Sequence, residues 1–371
     1  MNSPAANYRL FVRSFLAFFF LFPLALGTFN FCLDPNHRYH FSVREPILRE
    51  LASSDEKLLL VPKNYDDRIF LKKYLRVSSV PSVAVLGGSR VANIQAEAFG
   101  RQGSTEFLNA SVTAGTIRDY IAVWQMIKEL HLKPKVVFIG IDEQSISGTS
   151  QNNRYLSLLE YYEAFFEKGV SLRVRWMGLT TDLKDLLSLQ TTSASLKLLL
   201  GGREEISRLV NRREYDGTTA ARTSSLALLY PKDYQSRPAE VIALEANANG
   251  RGEVSVFEKW NPRDRRGYDQ LQALLHDIKT EGVKAVLVMM PYHPEALKMI
   301  QGSPRAHESF KSFTVELEKM SVEEGAYFYN EIPGKTSHFL AGDFLDGVHL
   351  RAAPNNRFFR AAGEAADIGG L

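Results

Sequence analysis

Residues 83–91 read VAVLGGSRV, and this stretch decides the fold. Four consecutive apolar residues are typical of a parallel strand buried on both faces, and the glycines after them predict a tight loop. Ser89 then stands where the loop turns into a helix. Because ligands of parallel sheets bind at the carboxyl ends of the strands, the stretch predicts both a first strand and a polar group where a site would lie.

The segments that follow alternate between strand and helix patterns. Apolar runs predict further strands at 107–108, 136–139, 285–290 and 327–329, and apolar residues at helical spacing predict helices over 117–131, 268–279 and 308–324. Strand, helix and strand in succession form right-handed crossovers, which place strands in parallel. The fold class is therefore α/β, a doubly wound parallel sheet of about five strands.

Residues 150–265 interrupt this alternation with aromatic and leucine-rich helical stretches at 155–166 and 183–200. We interpret them as a helical insertion, a cap or lid on the sheet. The predicted organisation is an N-terminal anchor over 1–34, a juxtamembrane connector with one or two helices over 35–79, and an α/β domain over 80–371 that carries the insertion.

The anchor is predicted from residues 14–33, which contain no charge and follow Arg9 and Arg13. Twenty uncharged and mostly apolar residues just span a bilayer core, and the flanking arginines favour the cytoplasmic side. The bilayer is thus the first expected partner, in a single-pass protein of a bacterial-type cytoplasmic membrane whose C-terminal domain is extracytoplasmic. Two alternatives are a signal peptide cleaved near Ala25-Leu26-Gly27 and a lipid-modified Cys32, the second disfavoured by the bulky Phe31.

Composition excludes several classes of function. The net charge is only +3 and the basic residues are scattered, so nothing favours nucleic acid as a partner. A single cysteine rules out an intrachain disulfide. The His37-Arg38-Tyr39-His40 segment has two histidines but no carboxylate or cysteine beside them, which is a poor metal site. We therefore expect neither a metal nor a cofactor.

Near the C-terminus, residues 343–350 read DFLDGVHL, which places Asp346 three residues before His349. At this spacing the carboxylate can orient one imidazole nitrogen so that the other takes a proton from a serine hydroxyl. The sheet would bring this loop to the same edge as Ser89. The alternatives are a capping aspartate with a surface histidine, and a Ser89 that only caps a helix.

With these motifs in place, the chain resembles the SGNH, or GDSL-like, hydrolase superfamily over residues 80–355, apart from the insertion. The resemblance implies a flavodoxin-like fold with Ser89 as nucleophile, His349 as base and Asp346 as its orienting carboxylate. The family's second block, an Asn-x-Ser followed by a glycine of the oxyanion hole, corresponds to Asn109 and the residues after it, and implies that Asn109 contacts the oxyanion or the substrate. Here Ala114 takes the usual glycine position and Gly115 follows.

The family's third block, Gly-x-Asn-Asp, reads Gly140-Ile141-Asp142-Glu143 in this chain. Asp142 thus replaces an oxyanion-binding asparagine, and Arg90 either pairs with it or binds an anionic substrate group. Asp34-Pro35, the GGSR loop and Gly-x-Asp together resemble a membrane-anchored subgroup of the superfamily, similar to cell-envelope proteins that transfer acyl groups on polysaccharides and teichoic acids.

After the fourth predicted strand, Tyr292 and His293 could contact a sugar, or form only a proline-bounded turn. The expected function is an O-acyl esterase or acyltransferase acting on an envelope glycan or related ester, with backbone N–H groups of Ser89 and Ala114 or Gly115 holding the oxyanion, and possible help from a membrane-embedded acyl-transfer partner. The alternatives are a non-catalytic protein that binds a glycan or a partner, and a phosphate or nucleotide binder at residues 87–90.

Overall fold

The computed structural model describes most of the chain. The described residues are 4–35, 43, 45–61, 65–100, 106–147, 154–166, 172–201, 208–261, 263–331 and 339–368. The His37 to His40 segment, for which we predicted no metal, lies outside them.

Two lists give the bounds of the regular elements. The α-helices are α1 (Pro4–Leu33), α2 (Glu45–Ala52), α3 (Asp67–Leu75), α4 (Ile117–Glu129), α5 (Glu143–Ile146), α6 (Leu159–Phe165), α7 (Leu172–Leu186), α8 (Leu189–Gly201), α9 (Lys232–Gln235), α10 (Ala239–Lys259), α11 (Arg266–Thr280), α12 (Pro294–Gly302), α13 (Pro304–Glu324) and α14 (Ala352–Ala365). The strands are β1 (Lys57–Leu60), β2 (Val83–Leu86), β3 (Phe107–Asn109), β4 (Val136–Ile141), β5 (Leu209–Asn211), β6 (Ala221–Arg222), β7 (Leu228–Leu229), β8 (Lys284–Met289) and β9 (Tyr327–Tyr329).

The central sheet has five parallel strands in the order β3-β2-β4-β8-β9. Strand β2 lies inside the sheet, since Val83 is in register with Phe107 on one side and Val136 on the other. The mixed α/β class, the parallel sheet and its five strands are confirmed. The chain passes from β2 to β3 on one side and then crosses to β4 on the other side of β2, so the strand order reverses between β2 and β4. At such a point the loops that follow the two neighbouring strands run in opposite directions and leave a crevice between them.

Alternate side chains of β2 point into two different cores, as expected of a sheet covered on both faces. Ala84 and Leu86 join the larger core with residues of α4, α11 and α13. Val83 and Val85 join the smaller core, which α14 closes through Phe358 and Phe359. This double burial explains why the strands read as continuous apolar runs.

The connector and the insertion fold together, which we did not predict. Strand β1 from the connector pairs antiparallel with β5 and β6 of the insertion, and β7 completes a second, four-stranded sheet. The interpretation of 150–265 as a helical insertion therefore does not extend to 209–229, which contains three short strands. These strands are only two or three residues long, too short for an alternating pattern to be distinguished in the sequence.

One helix near the N-terminus is long and apolar enough to cross a membrane, over Phe11–Leu33. The helix itself begins earlier, at Pro4, and continues through Pro23. Helices α7 and α8 of the insertion pack against it. The longest helix of the insertion, α10, instead packs on α12 and α13 and reaches the loops at the carboxyl edge of the central sheet.

Candidate active site

Ser89 lies directly beyond the carboxyl end of β2, at the start of a single 3-10 turn over Ser89–Val91. The expected α-helix after this loop is absent, so any helix dipole acting on Ser89 is that of one short turn. Glycine is required in the loop because a Cβ on Gly87 would lie 2.5 Å from Cγ2 of Val91. The tight loop leaves Ser89 half-buried at the sheet edge.

Three side chains predicted from distant parts of the sequence are connected here by hydrogen bonds. His349 Nε2 lies 2.8 Å from Ser89 Oγ, and His349 Nδ1 lies 2.7 Å from Asp346 Oδ2. With the Nδ1 proton donated to the carboxylate, Nε2 is left to accept the serine hydroxyl proton. This is the connectivity that a general base needs in order to activate a serine.

The carboxylate of Asp346 is held from several sides. Its Oδ1 accepts the backbone N–H groups of Val348 and His349 at 2.6 and 2.7 Å, and its Oδ2 accepts the hydroxyl of Tyr234. Burial raises the pKa of Asp346, but the hydrogen bonds and charge of His349 and the bond from Tyr234 outweigh it, and the pKa falls well below its usual range. Asp346 therefore remains ionised beside His349.

The hydroxyl of Ser89 and the ring of His349 open into a cleft of about 360 Å³. Most of the side chains that line it are polar, and its apolar side chains, those of Ala114, Ala248 and Val348, are short. The lining residues are Gly88, Ser89, Arg90, Ala114, Gly115, Thr116, Asp142, Gln144, Ala248, Asn249, Gly252, Glu253, Val348 and His349.

Behind the cleft, Arg90 is buried between two carboxylates. Its Nε lies 3.3 Å from Asp142 Oδ2 and its Nη2 lies 2.7 Å from Glu253 Oε1. The expected pairing of Arg90 with Asp142 is thus present, with Glu253 of α10 as a second, unpredicted partner. Two carboxylates balance this guanidinium, which weakens the interpretation of residues 87–90 as an anion-binding loop.

A second layer of this network contains Glu143 and Tyr292. The Tyr292 hydroxyl donates to Glu143, and both side chains are buried. Burial raises the pKa of Glu143, and the nearby Glu253 raises it further. Tyr292 therefore faces the interior and does not line the cleft, contrary to its expected contact with a sugar.

His293 is also placed away from the cleft. It is buried, its Nδ1 accepts the backbone N–H of Glu295 at 3.2 Å to cap α12, and its ring lies 4.9 Å from that of Phe344. Burial lowers its pKa, which favours the neutral ring. The residues directly after β8 therefore supply packing and capping groups, and α10, which packs on α12, places Phe257 against Tyr292.

Asn109, from the second sequence block, forms hydrogen bonds with the backbone of the segment that follows Ser89. Asn109 is fully buried and its side chain donates to the carbonyls of Val91, Ala92 and Ile94 at 2.8, 3.2 and 3.0 Å. It therefore holds the loop and does not reach the cleft, where we had expected it to contact substrate.

Ala114 and Gly115 do line the cleft. Ala114 has a φ of 49°, in the left-handed region that favours glycine. A Cβ on Gly115 would lie 3.1 Å from the carbonyl oxygen of Gly87, so the glycine at 115 permits close contact with the Ser89 loop. The Gly115 N–H is already donated to Val112 O at 3.1 Å.

The insertion supplies residues to the site that no sequence pattern predicted. Tyr234 contacts the Asp346 carboxylate, Glu253 contacts Arg90, and Asn249 lines the cleft beside His349. Gln144, which follows Asp142, also lines the cleft and donates to Glu253 Oε1 at 3.2 Å. No local motif marks these residues, since α10 and α9 reach the site only through tertiary packing.

No protein-family model matches the chain, and no curated protein matches its sequence. In the part of the chain that the structure describes, no group of three or more His, Cys, Asp or Glu side chains could hold a metal ion.

Proposed function

We propose that this protein is a serine O-acyl esterase or acyltransferase. The observation that carries the proposal is the continuous hydrogen-bonded path from Ser89 through His349 to Asp346, built from segments 260 residues apart in sequence. A chance pair of surface groups has no reason to align both imidazole nitrogens in this way.

In this mechanism, Ser89 Oγ attacks the ester carbonyl while His349 Nε2 takes its proton. The imidazolium is stabilised by Asp346 and then donates the proton to the departing alcohol, leaving an acyl group on Ser89. Water, or a sugar hydroxyl, is deprotonated by the same nitrogen and releases the acyl group. The oxyanion is held by the Ser89 backbone N–H and by donors from the cleft wall.

The resemblance to the SGNH superfamily supports this chemistry. Numbered along the chain, the strands of the central sheet lie in the order 2-1-3-4-5, which is the order of flavodoxin-like sheets. Ala114 has the backbone conformation that suits the family's glycine at this position. Asp142 departs from the family's asparagine, but its charge is balanced by Arg90, and it caps α5 by accepting the Ser145 N–H at 2.8 Å.

The substrate class follows from the cleft and the anchor. Amide and carboxylate groups with short side chains suit a hydroxylated carrier such as a glycan better than a long acyl chain. If α1 spans a bilayer with Arg13 on the cytoplasmic side, the cleft lies outside the cytoplasm, where envelope glycans are modified. The partner we propose is then a membrane-embedded protein that supplies acyl groups.

The proposal is tested by hydrolysis of a small activated ester such as p-nitrophenyl acetate by the full-length protein. Ser89→Ala should abolish turnover, and Asp346→Asn should lower kcat by roughly 10³-fold or more, because the imidazole would take the wrong tautomer. Asp343→Asn, three residues earlier in the same loop, is the matched control and should retain activity. Turnover unaffected by Ser89→Ala would disprove the proposal.

The non-catalytic alternative rests on Asp142, which places a carboxylate where the resembling enzymes carry an amide donor. It predicts that the folded protein binds glycans in the cleft and turns over no ester. A substitution at Ser89 should then change the glycan affinity only by the loss of the contact that the serine side chain itself makes.

A further inference from the structure

The helical hairpin formed by α7 and α8 is the largest feature of the chain that the proposed site does not use. It packs along α1, where the half-buried or buried positions beyond residue 13 are Pro23, Leu26, Gly27, Phe29, Asn30 and Leu33. These positions lie in the second half of the apolar stretch Phe11–Leu33, which is about 35 Å long at the rise of an α-helix. A helix that spans a bilayer places this half in the outer leaflet.

Polar and small residues form the contact between the hairpin and α1. Asn30 is fully buried, and its amide donates to Leu186 O at 2.6 Å and to Thr192 Oγ1 at 2.9 Å. Thr191 and Ser195 of α8, one helical turn apart, are buried as well. Helices in lipid associate through small residues and interhelical hydrogen bonds of this kind, because apolar side chains gain little from leaving the lipid.

Among the described side chains of the hairpin, many large apolar ones are uncovered. Its exposed side chains include Trp176, Leu183, Leu189, Leu196 and Leu200, with Leu189 and Leu200 more than four-fifths exposed. Lys184 and Lys197 are exposed on the same hairpin, and their long stems allow the ammonium groups to reach the headgroup region. Exposed apolar surface of this extent is unfavourable in water and is typical of a membrane or protein contact.

We propose that the α7–α8 hairpin is a second membrane-contacting element, which lies in the outer leaflet beside α1 with its leucine face toward lipid. Continuity with α1 selects the bilayer as the occupant, since Asn30 fixes the hairpin against the apolar span itself. This inference rests on α1 crossing a membrane and does not depend on the serine chemistry. Its consequence is that the catalytic domain is held to the membrane at two places.

The first test is quenching of tryptophan fluorescence by brominated lipid. The three tryptophans are Trp124, Trp176 and Trp260, so α1 has none. Trp124 is buried in the core, and Trp260 is half-buried and donates to Tyr268. In the full-length protein reconstituted in phosphatidylcholine vesicles, brominated acyl chains should quench part of the emission. Trp176→Phe should remove the quenched part, and Trp260→Phe should retain it.

Equal emission of the wild-type protein in brominated and ordinary vesicles would overturn the proposal. A second measurement applies even if Trp176→Phe fails to fold. A spin label at Leu199→Cys, in a Cys32→Ser background, should collide more often with oxygen than with a water-soluble nickel chelate, and a label at the exposed Val322→Cys should show the reverse. A Leu199 label open to the chelate, or shielded from both reagents by a second copy or a partner, would refute contact with lipid.

Discussion

At the scale of single residues, His349 has both ring nitrogens engaged. The Asp346 carboxylate accepts from one side, and the Ser89 hydroxyl lies on the other. Asp346 is in turn fixed by two backbone N–H groups and by Tyr234. The orientation of the His349 ring is therefore set by the Asp346 carboxylate, which the backbone of the same loop holds in place. Tyr234 of the insertion adds one further hydrogen bond to that carboxylate.

A pH-dependent stability is predicted from Asp346. Because its pKa is lowered in the folded state, its contribution to the free energy of unfolding is fully present above the unfolded pKa of about 4 and is lost as the pH falls below it. Denaturant unfolding of the wild type and Asp346→Asn should therefore differ most near neutral pH, with the wild type more stable. The difference should shrink between about pH 4 and pH 2, and a difference that grew on acidification would contradict this assignment.

At the scale of elements, α10 packs at Gly347 against the loop that carries Asp346 and His349. A Cβ there would lie 2.5 and 2.6 Å from the backbone N and Cα of Ala246, and 2.7 Å from the amide nitrogen of Asn249. The backbone of a long packed helix cannot move away from such a Cβ without a loss of stability. The glycine between Asp346 and His349 is thus required for the insertion to close over the site.

Gly347→Ala should therefore destabilise the fold by about 1–3 kcal/mol, the usual cost of overpacking, and should lower esterase activity by displacing the loop. Gly342→Ala is the matched control, since its Cβ would meet open space and neither glycine has a positive φ. Its effect should stay within about 0.5 kcal/mol. Equal thermal stability of the two variants would show that α10 does not press on this loop.

Asn249 of α10 also lines the cleft, and its amide lies near Gly347, in the loop that carries Asp346 and His349. Asn249→Ala should lower kcat/KM about tenfold, the effect of losing roughly 1.4 kcal/mol of transition-state stabilisation, with little change in stability. Asn247→Ala is the control on the same helix, because Asn247 donates to its own helix at Ala243 O. Similar kinetics for both variants would exclude a role of Asn249 in binding or catalysis.

At the scale of the whole molecule, the insertion is part of the site and not a detachable cover. Tyr234 and Glu253 reach Asp346 and Arg90, and β5, β6 and β7 pair with or extend from the connector strand β1. Deleting residues 150–265 would leave Arg90 with one carboxylate and β1 without its neighbours. Such a deletion would therefore report on folding as much as on substrate selection.

The sequence allowed the parallel sheet and the three central side chains of the candidate site to be predicted, because buried strands read as apolar runs and sites follow their carboxyl ends. It did not reveal the second sheet, whose strands are too short for a pattern. It also misplaced Tyr292, His293 and Asn109, since whether a residue after a strand faces a cleft depends on which helix covers it. Here α10 packs on α12, the helix that follows β8, with its Phe257 against Tyr292, and Asn109 turns under the Ser89 loop.

The central claim is that His349 activates Ser89, and the most direct test is covalent labelling of the full-length protein by a fluorophosphonate, with the modified residue located by mass spectrometry. Labelling should occur on Ser89 and should be lost in His349→Ala. His276→Ala should label normally, because His276 is exposed and pairs with Glu324 far from the cleft. Folded wild-type protein that takes no label on Ser89, or labelling that persists in His349→Ala, would contradict the account.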